Sequence, residues 1–238
     1  MSLSDSLVLA VHASPGVGKT TLLASTPAPR LIFDTEGGGT RFAFPKGTVT
    51  VWDPNNEPVP DLSTCEPACE TVVVYVRQYS DISRAYDVLA KGNHQFRTVA
   101  IDTLGEAQVK LMEGLAGTKQ LTQNQWGEVL RNFADLLRKF RDLTVHATNP
   151  LQIIVLTSHS EPRNGKNTLM LQGKVAAIVP AIVDVLGYMY VAVDEHGVQH
   201  RYLLVSPTET IDAKDRSGRL PAVIVDPKVN EILNLIFG

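Results

Sequence analysis

The chain has 238 residues, enough for one large α/β domain or two small ones built on an ordinary apolar core. Lys and Arg number 22 against 25 Asp and Glu, and the net charge of −3 excludes broad electrostatic coating of nucleic acid, so any polyanion site must be local. Hydrophobic residues at 44% exclude intrinsic disorder, and two cysteines are too few for a disulfide framework.

In chain order, apolar β-branched runs alternate with helical patterns, as in a parallel sheet with crossover helices. Strands are expected over Leu7–Ala13, Leu31–Phe33, Val72–Val76, Thr98–Ile101 and Gln152–Thr157. Two more, Tyr188–Val193 and Arg201–Val205, flank the turn-like Asp194–Gly197 and predict an antiparallel hairpin. Helices are expected from Lys19 to Ala24, Asp81 to Ala90, Gln125 to Leu143 and Lys174 to Leu186. In the third, Trp126, Val129, Leu130, Phe133, Leu136, Leu137, Phe140 and Leu143 recur at three and four, so this stripe faces the sheet. Phe44–Glu70 holds five prolines and little helical period, and reads as a surface insertion. One domain over residues 1–238 is expected, with this insertion inside it.

No charged-then-apolar leader precedes Leu7, and a cytoplasmic protein is expected. Val175–Val193 is long enough to imitate a membrane span, yet Pro180 and the central Asp184 oppose insertion, the latter by roughly 2.5 to 3.5 kcal/mol. Cys65 and Cys69 lack a second ligand pair at zinc-ribbon distance, and His196 and His200 flank a turn without the glutamate of a zincin motif.

The motif that carries chemistry is ASPGVGKT, Ala13 to Thr20, which follows an apolar strand and opens a helix. This is the context of a phosphate-binding P-loop. Ser14, Pro15, Gly16, Val17, Gly18, Lys19, Thr20 and Thr21 form the candidate nucleotide loop, with Lys19 for the β- and γ-phosphates and the Thr20 hydroxyl for Mg²⁺. Ala13 stands where the P-loop pattern has its first Gly; the phosphate-wrapping part is intact. A second metal ligand comes from Thr98–Asp102, an apolar strand ending in Asp102. Thr103 follows, so the group that activates water must lie elsewhere. Glu36 in LIFDTEGG ends another strand, and parallel strands align their carboxyl ends along one edge, so Glu36 and Asp102 can face the same γ-phosphate. Glu106 is the reserve. No N-K-x-D guanine-reading motif occurs, and Glu161–Gly173 lacks the Arg-rich lid of a phosphotransferase, so ATP hydrolysis is favoured.

With the P-loop, LIFDTEGG and VAIDT in this order, the chain resembles the RecA-like P-loop ATPase core over Leu7 to about Pro221. It looks most like the compact phage-encoded RecA-type nucleotide-binding proteins of single-strand annealing and recombination. The resemblance implies a mostly parallel α/β sheet flanked by helices, ATP and Mg²⁺ as ligands, and location in the host cytoplasm for a phage-encoded chain. It places Glu36 at the catalytic glutamate, Asp102 at Walker B, and His159 at the strand tip that senses the γ-phosphate, where RecA has Gln. It likens the segment of about 159–173 to a mobile DNA-contacting loop, with Arg163, Lys166 and Lys174 as phosphate contacts and Gly165 and Gly173 as hinges. This loop contains no aromatic residue for base stacking. Lys214 and Arg216 match a K-x-R pair that reaches a neighbour's γ-phosphate, implying a homo-oligomer with shared sites. Single-strand-binding and other replication or recombination proteins are further implied partners. The N-terminal filament element and a separate C-terminal DNA-binding domain of RecA are not expected. Two other functions stay open on the residues: a nucleotide-switched adaptor or motor accessory without DNA binding, and a small-molecule kinase.

Overall fold

The computed structural model describes residues 5–62 and 70–238; Cys65 and Cys69 lie outside the described residues. The strands are β1 (Leu7–Ala13), β2 (Arg30–Asp34), β3 (Val49–Val51), β4 (Thr71–Tyr75), β5 (Thr98–Asp102), β6 (Ile153–Arg163), β7 (Lys166–Leu169), β8 (Val185–Val193), β9 (Gln199–Leu204), β10 (Lys214–Asp215) and β11 (Val223–Val225). The helices are α1 (Lys19–Leu23), α2 (Thr40–Ala43), α3 (Tyr79–Leu89), α4 (Leu104–Ala116), α5 (Gln123–Asp142), α6 (Val175–Ile182) and α7 (Val229–Phe237). Sheet order is β11-β9-β8-β1-β6-β5-β2-β4-β3, with β10 on β8 and β7 on β6. From β3 to β8 every pairing along this path is parallel, and the β8–β9–β11 end is antiparallel.

Continuous apolar runs produce this sheet because helices cover both faces. All seven residues of β1 are buried, as are all five of β2 and β5. One face, with Val8, Phe33, Val99 and Ile154, packs on Phe133, Leu137 and Phe140 of α5. The other, with Leu9, Ile32, Ala100 and Val155, packs on Leu22 and Leu23 of α1 and on Ile232 and Leu233 of α7. Thr122 and Gln125 form a capping box that starts α5 two residues before the expected position.

Three expectations change. The segment beginning at Phe44 is more than a surface insertion: Val49–Val51 extends the sheet, and Trp52 is buried to 1% exposure, its indole Nε1 donating to Glu57 O at 3.2 Å. The helix expected up to Leu186 stops at Ile182, because Asp184 exchanges hydrogen bonds with Val8 and the β-branched run from Val185 joins the sheet beside β1. Finally, within 159–173 residues 160–169 pair as an antiparallel hairpin. β6 runs past Thr157 to Arg163 and turns at Asn164–Gly165, with φ of 52° and 80°, into β7. Two successive positive φ values are what a two-residue hairpin turn needs, and Asn-Gly supplies them. Among the described residues no helix is long and apolar enough to cross a membrane.

Candidate nucleotide site

The carboxyl ends of β1, β6, β5 and β2 stand side by side on one edge of the sheet. β1 hands the chain to Ser14–Gly18, where Gly16 and Gly18 adopt φ of 79° and 109°, and α1 starts at Lys19. Gly18 is constrained twice: its φ disfavours a side chain, and a Cβ would stand 2.6 Å from Arg201 Nε. This turn into a helix N-terminus is the geometry that receives phosphate.

Lys19 is buried, and its Nζ donates to Ala13 O at 3.4 Å, Ser14 O at 3.3 Å and His159 Nδ1 at 3.2 Å. Burial lowers its pKa, opposed by the charges of Asp102 and Glu36. The Thr20 hydroxyl donates to Asp102 Oδ2 at 2.7 Å, and the Thr157 hydroxyl donates to Asp102 Oδ1. Burial raises the Asp102 pKa, and the bonds from Thr157 and Thr20 act the other way.

β2 ends in Asp34, opposite Asp102 in register. Its buried carboxylate accepts from Gly37 N at 2.7 Å and from the Thr40 hydroxyl at 2.6 Å, closing the turn that carries Glu36. Thr35 N donates to Asp102 O at 2.9 Å, and the Thr35 hydroxyl pairs with both Thr103 N and Thr103 O, so the loops after β2 and β5 are fastened together. Glu36 Oε1 accepts from His159 Nε2 at 2.8 Å and from the Thr103 hydroxyl at 3.1 Å. An ammonium can only donate, so His159 Nδ1 accepts from Lys19 and its proton sits on Nε2, directed at Glu36. Five residues singled out in the sequence, Lys19, Thr20, Glu36, Asp102 and His159, therefore form one cluster.

The cluster fits ATP with Mg²⁺. Thr20 and Asp102 offer a hydroxyl and a carboxylate in contact, the oxygen donors Mg²⁺ takes together with phosphate oxygens and water. Among the described residues no group of three or more His, Cys, Asp or Glu could hold a metal by itself. Ser14 and Pro15 are exposed beside the loop, and Val17 is half-buried.

Other candidates stand elsewhere. Glu106 lies in the first turn of α4 and forms no hydrogen bond with this cluster. Lys214 and Arg216 are engaged within the chain: Lys214 Nζ donates to Pro180 O at 2.7 Å and Val183 O at 2.8 Å, and the half-exposed Arg216 pairs with Asp184 at 2.9 Å and bonds Ala181 O. The reason is register. β10 pairs with Leu186 and Val185 at the start of β8, which points both side chains at the carbonyls ending α6. A reach to a neighbour would require breaking these bonds.

Arg163 Nη2 bonds Glu161 at 2.5 Å and Leu171 O at 2.7 Å, Nη1 bonds Gly173 O, and Lys166 stands 3.7 Å from Asp212. With Lys174 they line one cavity of about 400 Å³. His200, read as a surface residue, pairs with Asp226 at 2.6 Å, which holds its pKa above the ordinary value.

Sequence reasoning missed Thr157 and Arg201. Arg201 Nε donates to Val17 O at 3.1 Å, and Arg201 lines, with Thr21, Ser25, Met189 and Lys228, a cleft of about 390 Å³ beside the P-loop. Nothing local marks it, since 184 residues separate it from Val17.

No curated protein matches the chain. Among solved structures it is similar to the flagellar accessory protein FlaH from Methanocaldococcus jannaschii, at TM-score 0.50 and 11% identity over 93% of this chain and 84% of that one; this is a likeness of fold. The AAA domain family matches residues 5–217. An α/β sheet of RecA-like type, a P-loop on β1 and an aligned Asp102 thus meet a family match over most of the chain, and the chain belongs to the AAA domain family of P-loop ATPases.

Proposed function

We propose that the chain is a Mg²⁺-dependent ATPase that acts on single-stranded DNA in recombination or strand annealing, with hydrolysis coupled to DNA held at the β6–β7 hairpin. One observation carries this reading: β6 passes without interruption from His159, which touches both Lys19 and Glu36, into a hairpin whose Arg163 and Lys166 line one cavity with Lys174. The nucleotide end and the cationic end are the same strand.

Bound ATP with Mg²⁺ supplies the scissile phosphoryl group and its charge. Lys19 would exchange its loop carbonyls for the phosphates, and Thr20 and Asp102 would hold the metal. The cleft lined by Arg201 beside the P-loop offers room for the nucleoside. Glu36 accepts the proton of the attacking water, oriented by Thr103 and His159. When Lys19 moves, His159 loses a partner, and Met170 N, which donates to His159 O at 2.7 Å, carries that change to the strand returning from the hairpin. Assembly through shared sites is part of the proposal, with the in-chain bonds of Lys214 and Arg216 exchanged for contacts to a neighbour.

The test is ATP turnover with and without oligo(dT), in Mg²⁺ and in EDTA. Mg²⁺-dependent turnover that rises with oligo(dT) supports the reading. Turnover indifferent to DNA, together with absent DNA binding, overturns the DNA half and leaves the ATPase.

A further inference from the structure

The basic hairpin contains no aromatic residue, but the fold brings one to it. Helical periodicity assigns Trp126 to the buried stripe of α5, yet its side chain is 38% exposed while Val129, Phe133 and Phe140 of the same stripe are buried. An indole left this open forgoes the burial that makes Trp stabilising. Its neighbour is Gly173, whose φ of 67° favours glycine; a Cβ at that position would lie at van der Waals distance, 3.9 Å, from Cε3 and Cζ3 of the ring. The carbonyl of Gly173 accepts from Arg163 Nη1 at 3.2 Å, and the next residue is Lys174, exposed at the start of α6. Gly173 thus connects Trp126 to the cationic cavity: it neighbours the indole, accepts from Arg163 and precedes Lys174.

Arg163, Lys166 and Lys174 share their cavity with one carboxylate, Asp212. Glu161 pairs with Arg163, and Asp212 with Lys166, whereas Lys174 forms no ion pair among the described residues. Trp126 also borders a cleft of about 490 Å³ with Met112, Glu113, Lys119, Leu121 and Gln172. Met170, 51% exposed, adds apolar surface nearby in sequence. An open indole next to a cationic cavity matches a nucleotide strand, whose bases stack and whose phosphates need cations.

We propose that Trp126 is a base-stacking residue of the single-stranded-nucleic-acid site, taking a base on its indole while Arg163, Lys166 and Lys174 hold flanking phosphates. This rests on the DNA reading above and adds the aromatic element that the hairpin lacks.

The chain has two tryptophans, and Trp52 is 1% exposed, so emission quenched by iodide reports Trp126. Oligo(dT) should shield Trp126 from iodide and quench its emission, and a Trp52→Phe variant should keep both effects. By anisotropy of a labelled strand, Trp126→Ala should bind oligo(dT) roughly ten-fold more weakly, with Trp126→Phe close to wild type. An abasic strand of equal length should bind wild type and Trp126→Ala alike. Lys166→Ala/Lys174→Ala should weaken both strands. If Trp126→Ala loses the same factor on both strands, or if oligo(dT) leaves iodide access unchanged, the stacking role is overturned while the DNA site stands. If wild type binds neither strand, the DNA reading itself fails and the inference with it. Should Trp126→Ala misfold, the Phe variant and the iodide experiment decide.

Discussion

Glu36→Gln tests the catalytic assignment most directly. The substitution keeps an oxygen where Oε1 stands, so His159 Nε2 and the Thr103 hydroxyl retain their acceptor at 2.8 and 3.1 Å. Glu36 contributes no hydrogen bond to the P-loop, and its side chain is 40% exposed, so folding and ATP affinity should change little. What is lost is a carboxylate able to accept a proton. General-base catalysis contributes about 10²- to 10⁴-fold, and at about 1.36 kcal/mol per factor of ten the barrier should rise by about 2.7 to 5.4 kcal/mol. Single-turnover hydrolysis measures the chemical step, with fluorescent-nucleotide binding and thermal melting as controls. Turnover within a few-fold of wild type, with binding intact, would show that water is activated by another group and that the His159–Glu36 contact serves only to orient the loop.

Arg216→Ala should reduce stability by less than about 1 kcal/mol, because its pair with Asp184 is solvent-exposed. If the in-chain role is the whole of it, mixing with Lys19→Ala restores no turnover; partial restoration would establish the reach across an interface. Trp52→Ala should lower unfolding free energy by about 3 to 5 kcal/mol in urea titrations, since it empties a fully buried site. A loss below about 1 kcal/mol would return the segment after Phe44 to a surface appendage. His12 is buried, with Ser160 Oγ and Asp212 O each at 2.8 Å and the Tyr188 ring tilted beside it, and burial lowers its pKa against the raising influence of Asp212. Its contribution to stability is complete above the ordinary value of 6.5 and is lost as pH falls from there toward the folded pKa. Urea midpoints between pH 7.5 and 5 should thus fall less steeply for His12→Gln, with a residual slope from His94, whose pKa burial also lowers. An unchanged slope would mean that His12 does not titrate differently on unfolding.

Much of the site was legible because P-loop chemistry is local. Gly16, Gly18, Lys19 and Thr20 lie within a few residues, and their types follow from φ requirements and phosphate charge. Glu36 and Asp102 could be placed together because strands ending in acids must align at one edge of a parallel sheet. The hairpin was misjudged despite an explicit signal. Asn164–Gly165 specifies a tight turn, but Ser160, Glu161, Lys166 and Asn167 around it are polar, Pro162 disfavours a strand, and the apolar alternation that marks strands is missing.

The α/β class, the phosphate loop and the order of acidic strand ends follow from short windows with definite backbone or charge demands. The remaining features arise from contacts between segments far apart in the chain. Tertiary structure linked His159 to Lys19 and Glu36 across 140 and 123 residues, set Arg201 against the P-loop, tied Lys214 and Arg216 to the end of α6, and left Trp126 open beside Gly173. Periodicity tells which stripe of a helix is apolar. Only the packing of neighbouring elements tells how far along that stripe the cover extends, and it leaves Trp126 38% exposed while Val129 and Phe133 are buried.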